Sequence, residues 1–112
     1  MSPASSPPLG VFEEQVLVAV LRTAGDAYGM EIRREIERVT GRDLAIGAVY
    51  ATLDRLEAKR LLSSTRTHGD GPSRRLFALR RAGAKALAET AAMRERLWKG
   101  IDVRALVRLA GA

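Results

Sequence analysis

Apolar residues recur at helical spacing in three successive stretches of the chain. From Leu9 to Ala24, Phe12, Val16, Ala19 and Val20 fall on one face, while Leu17, Val18 and Leu21 occupy others. A helix that is apolar nearly all round is buried on more than one side. This one is therefore expected to lie between the domain core and something else, a second subunit being one candidate. Gly25 and Asp26 stop it, and Asp26 is placed to cap the next helix. That helix, Ala27 to Thr40, carries the stripe Tyr28, Ile32, Ile36 and Val39. Glu31, Arg33, Arg34, Glu35, Glu37 and Arg38 cover its outer face in mixed sign, as solvated helix faces with i,i+4 pairing do. Gly41 ends it. A third helix, Ile46 to Lys59, buries Ile46, Val49, Leu53 and Leu56. Its opposite side presents Ala48, Ala51, Thr52, Arg55 and Lys59, small residues first and basic ones after.

Beyond Lys59 the pattern changes. Leu61 to Thr67 and Ser73 to Leu79 flank His68-Gly69-Asp70-Gly71-Pro72, whose glycines and proline mark a turn, so a β-hairpin is expected. Ala82 to Lys99 is rich in strong helix formers, with Leu87, Ala91, Arg94 and Trp98 on one face and Leu97 and Ile101 near it. Gly100 is a break, and Asp102 is placed to cap a last turn through Leu109. The fold class is thus mainly α with a small β-hairpin. The order helix, helix, helix, basic hairpin, helix is that of a winged helix-turn-helix. The expected organisation is a leader over residues 1–8, a winged-helix domain over 9–81 and a C-terminal helix over 82–112, whose dimerisation role is what the family resemblance given below implies.

Composition narrows the function classes. At 112 residues there is room for one domain. The absence of cysteine excludes a disulfide framework and a thiolate zinc site, and fits a reducing cytoplasm. No apolar run approaches the roughly 20 residues of a membrane span. The Ser/Pro-rich start lacks a basic region followed by an apolar core, so it reads as a flexible leader and not a signal peptide. The net charge is +6. It is local: between Arg55 and Arg81 stand eight basic residues (Arg55, Lys59, Arg60, Arg66, Arg74, Arg75, Arg80 and Arg81) against Glu57 and Asp70, which leaves the remainder neutral. A concentrated basic stretch implies a polyanionic partner.

Particular motifs carry a family resemblance. Ala27-Tyr28-Gly29-Met30-Glu31-Ile32 resembles the opening of the second helix in the PadR family of transcriptional regulators. The run from Leu44 through Tyr50-Ala51-Thr52-Leu53-Asp54-Arg55-Leu56-Glu57 resembles that family's recognition helix. Leu61-Leu62, the Arg-rich hairpin and Ala82-Gly83 then fall where the family has its wing and the start of its last helix. The resemblance covers about Val11 to Leu87. It implies a homodimer that binds double-stranded operator DNA and usually represses transcription, with release in some members by a small aromatic effector. Two positions depart from the family pattern. Arg60 stands where glycine usually follows the recognition helix, and Arg80 where threonine usually caps the last helix. Both add positive charge beside the expected DNA surface.

The candidate DNA-binding residues are Ala48, Tyr50, Ala51, Thr52, Arg55, Lys59, Arg66, Arg74 and Arg75. Tyr50 has two readings, a phosphate contact that the resemblance implies and a ring half-buried on the second helix. No Asn or Gln stands on the third helix, so bidentate reading of adenine is closed to it. Neighbours in a strand point to opposite faces, so at most one of Arg74 and Arg75 can face DNA. The dimer interface is expected from Phe12, Val16, Leu87, Leu97, Trp98, Ile101 and Leu106. Trp98 is also a candidate ligand contact, because in some relatives a tryptophan there stacks on a planar ligand; filling the subunit interface is the favoured reading. His68 is the only histidine, and neither a metal site nor a cofactor is expected. Glu13-Glu14 is the only adjacent carboxylate pair, at a helix start where acids suit the dipole, so the chain does not read as an enzyme. The alternative function is a winged-helix protein-interaction module whose basic wing meets an acidic surface.

Overall fold

The first helix, α1 (Val11–Arg22), begins where the Glu13 carboxylate turns back to accept from the Gly10 N–H at 2.9 Å. That bond satisfies a donor the first helical turn cannot. The computed structural model describes residues 8–69 and 71–111, so the expected leader, but for Pro8, lies outside the described residues. The chain continues through α2 (Gly29–Thr40), α3 (Ile46–Ala58), β1 (Leu62–Arg66), β2 (Arg75–Leu79), α4 (Arg81–Trp98) and α5 (Val103–Leu109). The strands pair antiparallel, with Leu62 opposite Leu79 and Arg66 opposite Arg75. The architecture is a winged helix, and it follows the order of elements that the apolar spacing implies.

One boundary differs. Asp26 does not cap α2; the N-cap is Tyr28, in extended backbone and without a side-chain bond. The reason is that the preceding residues pair with β2 in extended backbone. The Phe77 N–H donates to the Ala27 carbonyl at 2.9 Å, and Tyr28 forms a bridge with Leu76. An extended dipeptide cannot also be the first turn of a helix.

The core gathers Val16, Leu17 and Val20 from α1, Ile32 and Ile36 from α2, Val49, Leu53 and Leu56 from α3, and Leu62 and Phe77 from the hairpin. Burying each such side chain contributes about 1.5–3 kcal/mol. Val16 and Leu17 are consecutive and both wholly buried, so α1 is covered on two sides within one subunit.

The join from α3 to β1 resolves the first departure from the family pattern. Arg60 has φ 63°, the left-handed region, and is the sole non-glycine residue there among the described residues. Its N–H donates to the Glu57 carbonyl at 2.9 Å, and the Leu61 N–H to the Leu56 carbonyl at 3.0 Å. This is a Schellman ending made without glycine. The helix therefore ends in the usual geometry with arginine bearing the strain. Arg80 is the N-cap residue of α4 and makes no side-chain cap bond.

Gly83, Ala86 and Thr90 are the buried residues of α4, so its first half belongs to the winged-helix packing. Arg94 still ties the helix to α1, its Nη2 donating to Glu14 Oε1 at 2.5 Å, and beyond it the helix leaves the body. Gly100 breaks it at φ 80°, and the Asp102 carboxylate caps α5 by accepting from the Arg104 N–H at 3.0 Å. The radius of gyration is 16.4 Å, against about 13 Å for a compact chain of this size. The excess reflects a projecting C-terminal arm. No helix of the described residues is long and apolar enough to cross a membrane.

Candidate nucleic-acid interface

Gly47, Ala48, Ala51, Asp54 and Ala58 form the outward ridge of α3, all exposed. Four of the five have no side chain beyond Cβ, so another surface can approach the helix backbone closely. Two flanks border the ridge. Tyr50 and Glu57 face α2 and the wing, while Thr52, Arg55 and Lys59 lie toward α1.

Thr52 departs from expectation. It is 3 % exposed, and its hydroxyl accepts from Arg55 Nη2 at 3.2 Å. It stands three residues after Val49 and four before Leu56, which draws it into the buried stripe. Tyr50 sits against the second helix, as one of its two readings expects. Its ring lies so close to Gly29 that a Cβ there would be 2.5 Å away, yet the side chain remains partly exposed. Glycine at position 29 is what lets Tyr50 cover the start of α2.

The start of α2, Tyr50 and the wing enclose an open depression of about 350 Å³, lined by Tyr28, Gly29, Met30, Glu31, Tyr50, Arg66, Ser73, Arg74 and Arg75. The first intrahelical bond of α2 is made by the Ile32 N–H. The N–H groups of Gly29, Met30 and Glu31 therefore have no acceptor within the helix. Unsatisfied donors at the positive pole of a helix, beside arginines, are suited to an anion.

The two adjacent wing arginines point apart, as alternation requires. The Arg74 guanidinium stacks on the Tyr28 ring at 3.9 Å. Arg75 turns to α3, where Nη1 donates to Asp54 Oδ1 at 2.7 Å and Nη2 to Glu57 Oε1 at 2.5 Å. Glu57 Oε2 accepts from the Ser64 hydroxyl at 2.7 Å. The Ser64 bond, with help from Arg75, holds the Glu57 carboxyl below its ordinary range, and Asp54 and Glu57 push Arg75 upward. Arg75 is thus a tie between wing and α3 and not a free cation. Arg66, opposite it on β1, is exposed.

Arg55 and Lys59 are also engaged. Lys59 Nζ lies 2.8 Å from Glu13 Oε2 and Arg55 Nε 3.7 Å from it. The Lys59 bond and then the Gly10 N–H lower the Glu13 pKa. These two cations therefore form a separate cluster from Tyr50, Arg66 and Arg74. Arg60 and Arg80 gather with Arg81 and Lys85 around a shallow depression at the base of the hairpin, away from the wing arginines. His68 is exposed in the wing loop, and no metal-binding group of His, Cys, Asp and Glu occurs among the described residues.

The expected interface residues divide. Val16 is wholly buried in the core, and Phe12 and Leu87, both partly buried, pack against it. They were expected outside because helical spacing does not say which apolar face meets the subunit's own core. Leu97, Trp98, Ile101 and Leu106 are exposed on the arm, and Val11, Val18, Leu21 and Val39 are exposed on α1 and α2. Val11, Val18, Ile36 and Val39 line a groove of about 290 Å³ rimmed by Glu14, Arg22, Glu35 and Arg94.

The transcriptional regulator PadR-like family model matches residues 17–89. The chain belongs to this family. It is a PadR-like transcriptional regulator, of a DNA-binding class and not an enzyme. Solved structures share the fold. RosR of Halobacterium salinarum is 23 % identical, with a TM-score of 0.69 and coverage of 96 % of each chain. A PadR-like regulator from Bacillus cereus is 21 % identical, with a TM-score of 0.64 over 92 % of this chain and 94 % of that one. A PadR-like transcription factor from Bacteroides fragilis is 25 % identical, with a TM-score of 0.63 over 74 % and 81 %. No curated protein matches the sequence.

Proposed function

We propose that this PadR-like regulator is a cytoplasmic repressor that binds a pseudo-palindromic operator as a homodimer. The observation that carries the reading is the depression where the free N–H groups of α2, Tyr50, Arg66 and Arg74 converge beside the small-residue ridge of α3. A DNA phosphate fits the first group, and the floor of a major groove fits the second, through Ala48 and Ala51. Arg66 and Arg74 extend the contact along the backbone. Arg55 and Lys59, on the other flank, meet the opposite strand.

The dimer is supported by the arm. Leu97, Trp98, Ile101 and Leu106 are exposed over two consecutive helices, and a partner surface would bury them. Residues 9–81 then act as the reader and 82–112 as the dimerisation element, with two α3 helices about one DNA turn apart. Trp98 fills the interface, and a small aromatic effector that loosens DNA binding would act there.

Selection from a pool of random duplexes by mobility shift, across a salt series, tests this. An enriched inverted repeat whose binding weakens steeply with salt is the expected result. Binding without an enriched sequence, or none at low salt, would overturn it and favour the protein-interaction module.

A further inference from the structure

We propose that Asp54 is the residue through which α3 reads a cytosine, one per half-site, and that Arg75 is its positioning residue. The inference rests on the operator-binding reading above and deepens it. The other ridge residues, Gly47, Ala48, Ala51 and Ala58, have no polar side-chain atom. Asp54 stands on the same ridge, three residues beyond Ala51, with its side chain 60 % exposed.

The polar neighbours lie off the ridge, on its flanks. Arg55 bonds to Thr52 and pairs with Glu13, and the Tyr50 ring rests on Gly29. Both oxygens of Glu57 are occupied, one by Ser64 and one by Arg75. Asp54 differs from Glu57 in this respect. Its Oδ1 accepts from Arg75 at 2.7 Å, while among the described residues its Oδ2 has no donor. The tie to the wing alone would need only the first oxygen. It leaves the second exposed and held in place before DNA arrives, so little side-chain freedom is lost on contact.

A carboxylate only accepts. In the major groove guanine offers N7 and O6, and thymine O4, all acceptors that repel it. Adenine offers its N6 amino group beside the N7 acceptor. Cytosine offers its N4 amino group with no acceptor next to it on the same base. Cytosine is therefore the base that Oδ2 suits. Arg75, bonded to both acids, offsets the negative charge that an unpaired Asp54 would bring to a phosphate-facing surface.

The test is selection and sequencing of bound duplexes with the wild type, Asp54→Ala, Asp54→Asn and Arg75→Gln, with competition binding on the selected repeat. The wild type is expected to enrich an inverted repeat holding one strongly preferred cytosine per half-site, favoured about tenfold or more over other bases. Asp54→Ala should erase the preference at that position alone, and Asp54→Asn should move it toward adenine. Arg75→Gln should blunt it while the other positions persist. An unchanged cytosine in Asp54→Ala, or an equal loss at every position, overturns the proposal and leaves the operator reading standing. A wild type that enriches no repeat overturns both.

Discussion

The α-carbon of Gly83 lies over the carbonyl oxygen of Leu61, so close that a Cβ would stand 2.2 Å from it. This contact seats the first turn of α4 on the chain segment that joins α3 to the wing. The blocking atom is backbone and cannot swing away. Gly83→Ala should destabilise the protein by about 3 kcal/mol, the upper range for overpacking. Urea unfolding of the variant measures it; an unchanged midpoint would show that the helix can lift without cost.

Arg60 holds a left-handed conformation that costs an L-residue about 1 kcal/mol. Arg60→Gly should therefore stabilise the protein by several tenths to about 1 kcal/mol, despite the greater freedom of glycine in the unfolded chain. The side chain lies at the hairpin base and outside the depression of Tyr50 and Arg74. DNA affinity should fall only by the modest effect of one distant charge. Thermal melting and a mobility shift on the same sample check both statements.

Arg80 supplies no cap to α4. Arg80→Thr should add about 1 kcal/mol of stability through a side-chain bond to the first-turn N–H groups and the removal of a cation from the positive helix end. Urea unfolding measures the gain, and Arg80→Ala, which offers no cap oxygen, should yield clearly less.

Adjacent residues 74 and 75 should respond differently to charge reversal. Arg74→Glu places an acid at the depression and should reduce DNA affinity tenfold or more, with melting little changed. Arg75→Glu sets an acid against Asp54 and Glu57. It should lower the melting temperature and the affinity together. Equal melting curves for the two variants would contradict the tie between wing and α3.

Acid should weaken the fold through identifiable groups. Glu13 and Glu57 have folded-state pKa values below the ordinary value of 4.5, and Glu35, bonded by Arg38 and then Arg22, is lowered to about 2. Depressed carboxyls contribute stability that is fully present above the unfolded pKa and lost as pH falls through the folded one. The urea midpoint should hold steady from pH 7 to about 5 and decline below about 4.5. Glu57→Gln should show a shallower decline than the wild type over that acid range.

The order of elements was legible because apolar spacing repeats over several turns in α1 to α3, and because Gly100 and Asp102 punctuate the last helix as glycine and aspartate do. Ala27 and Tyr28 could not be read as a strand, since two residues show no alternation and their partners lie about 50 positions away. The opposite facing of Arg74 and Arg75 was legible from strand geometry. Which of them faces outward was not, because it depends on Asp54 and Glu57, distant in sequence and brought near by the hairpin. Thr52 was misplaced by type, a small polar residue on a helix whose stripe turns slightly more than the four most apolar positions suggest. Val16 was assigned to the subunit boundary, but the fold buries it in the core and leaves Val18 exposed.

The bond from Phe77 to Ala27 has a mechanical meaning. With the Tyr28–Leu76 bridge it joins the pole of α2 to the wing, and Arg75 fastens the wing to α3. The three surfaces that would grip DNA form a single jaw with no joint between them. Further along the chain the left-handed Gly100 interrupts the arm and separates α4 from α5. In the proposed homodimer, a signal that alters the grip would act on the span and tilt between two such jaws.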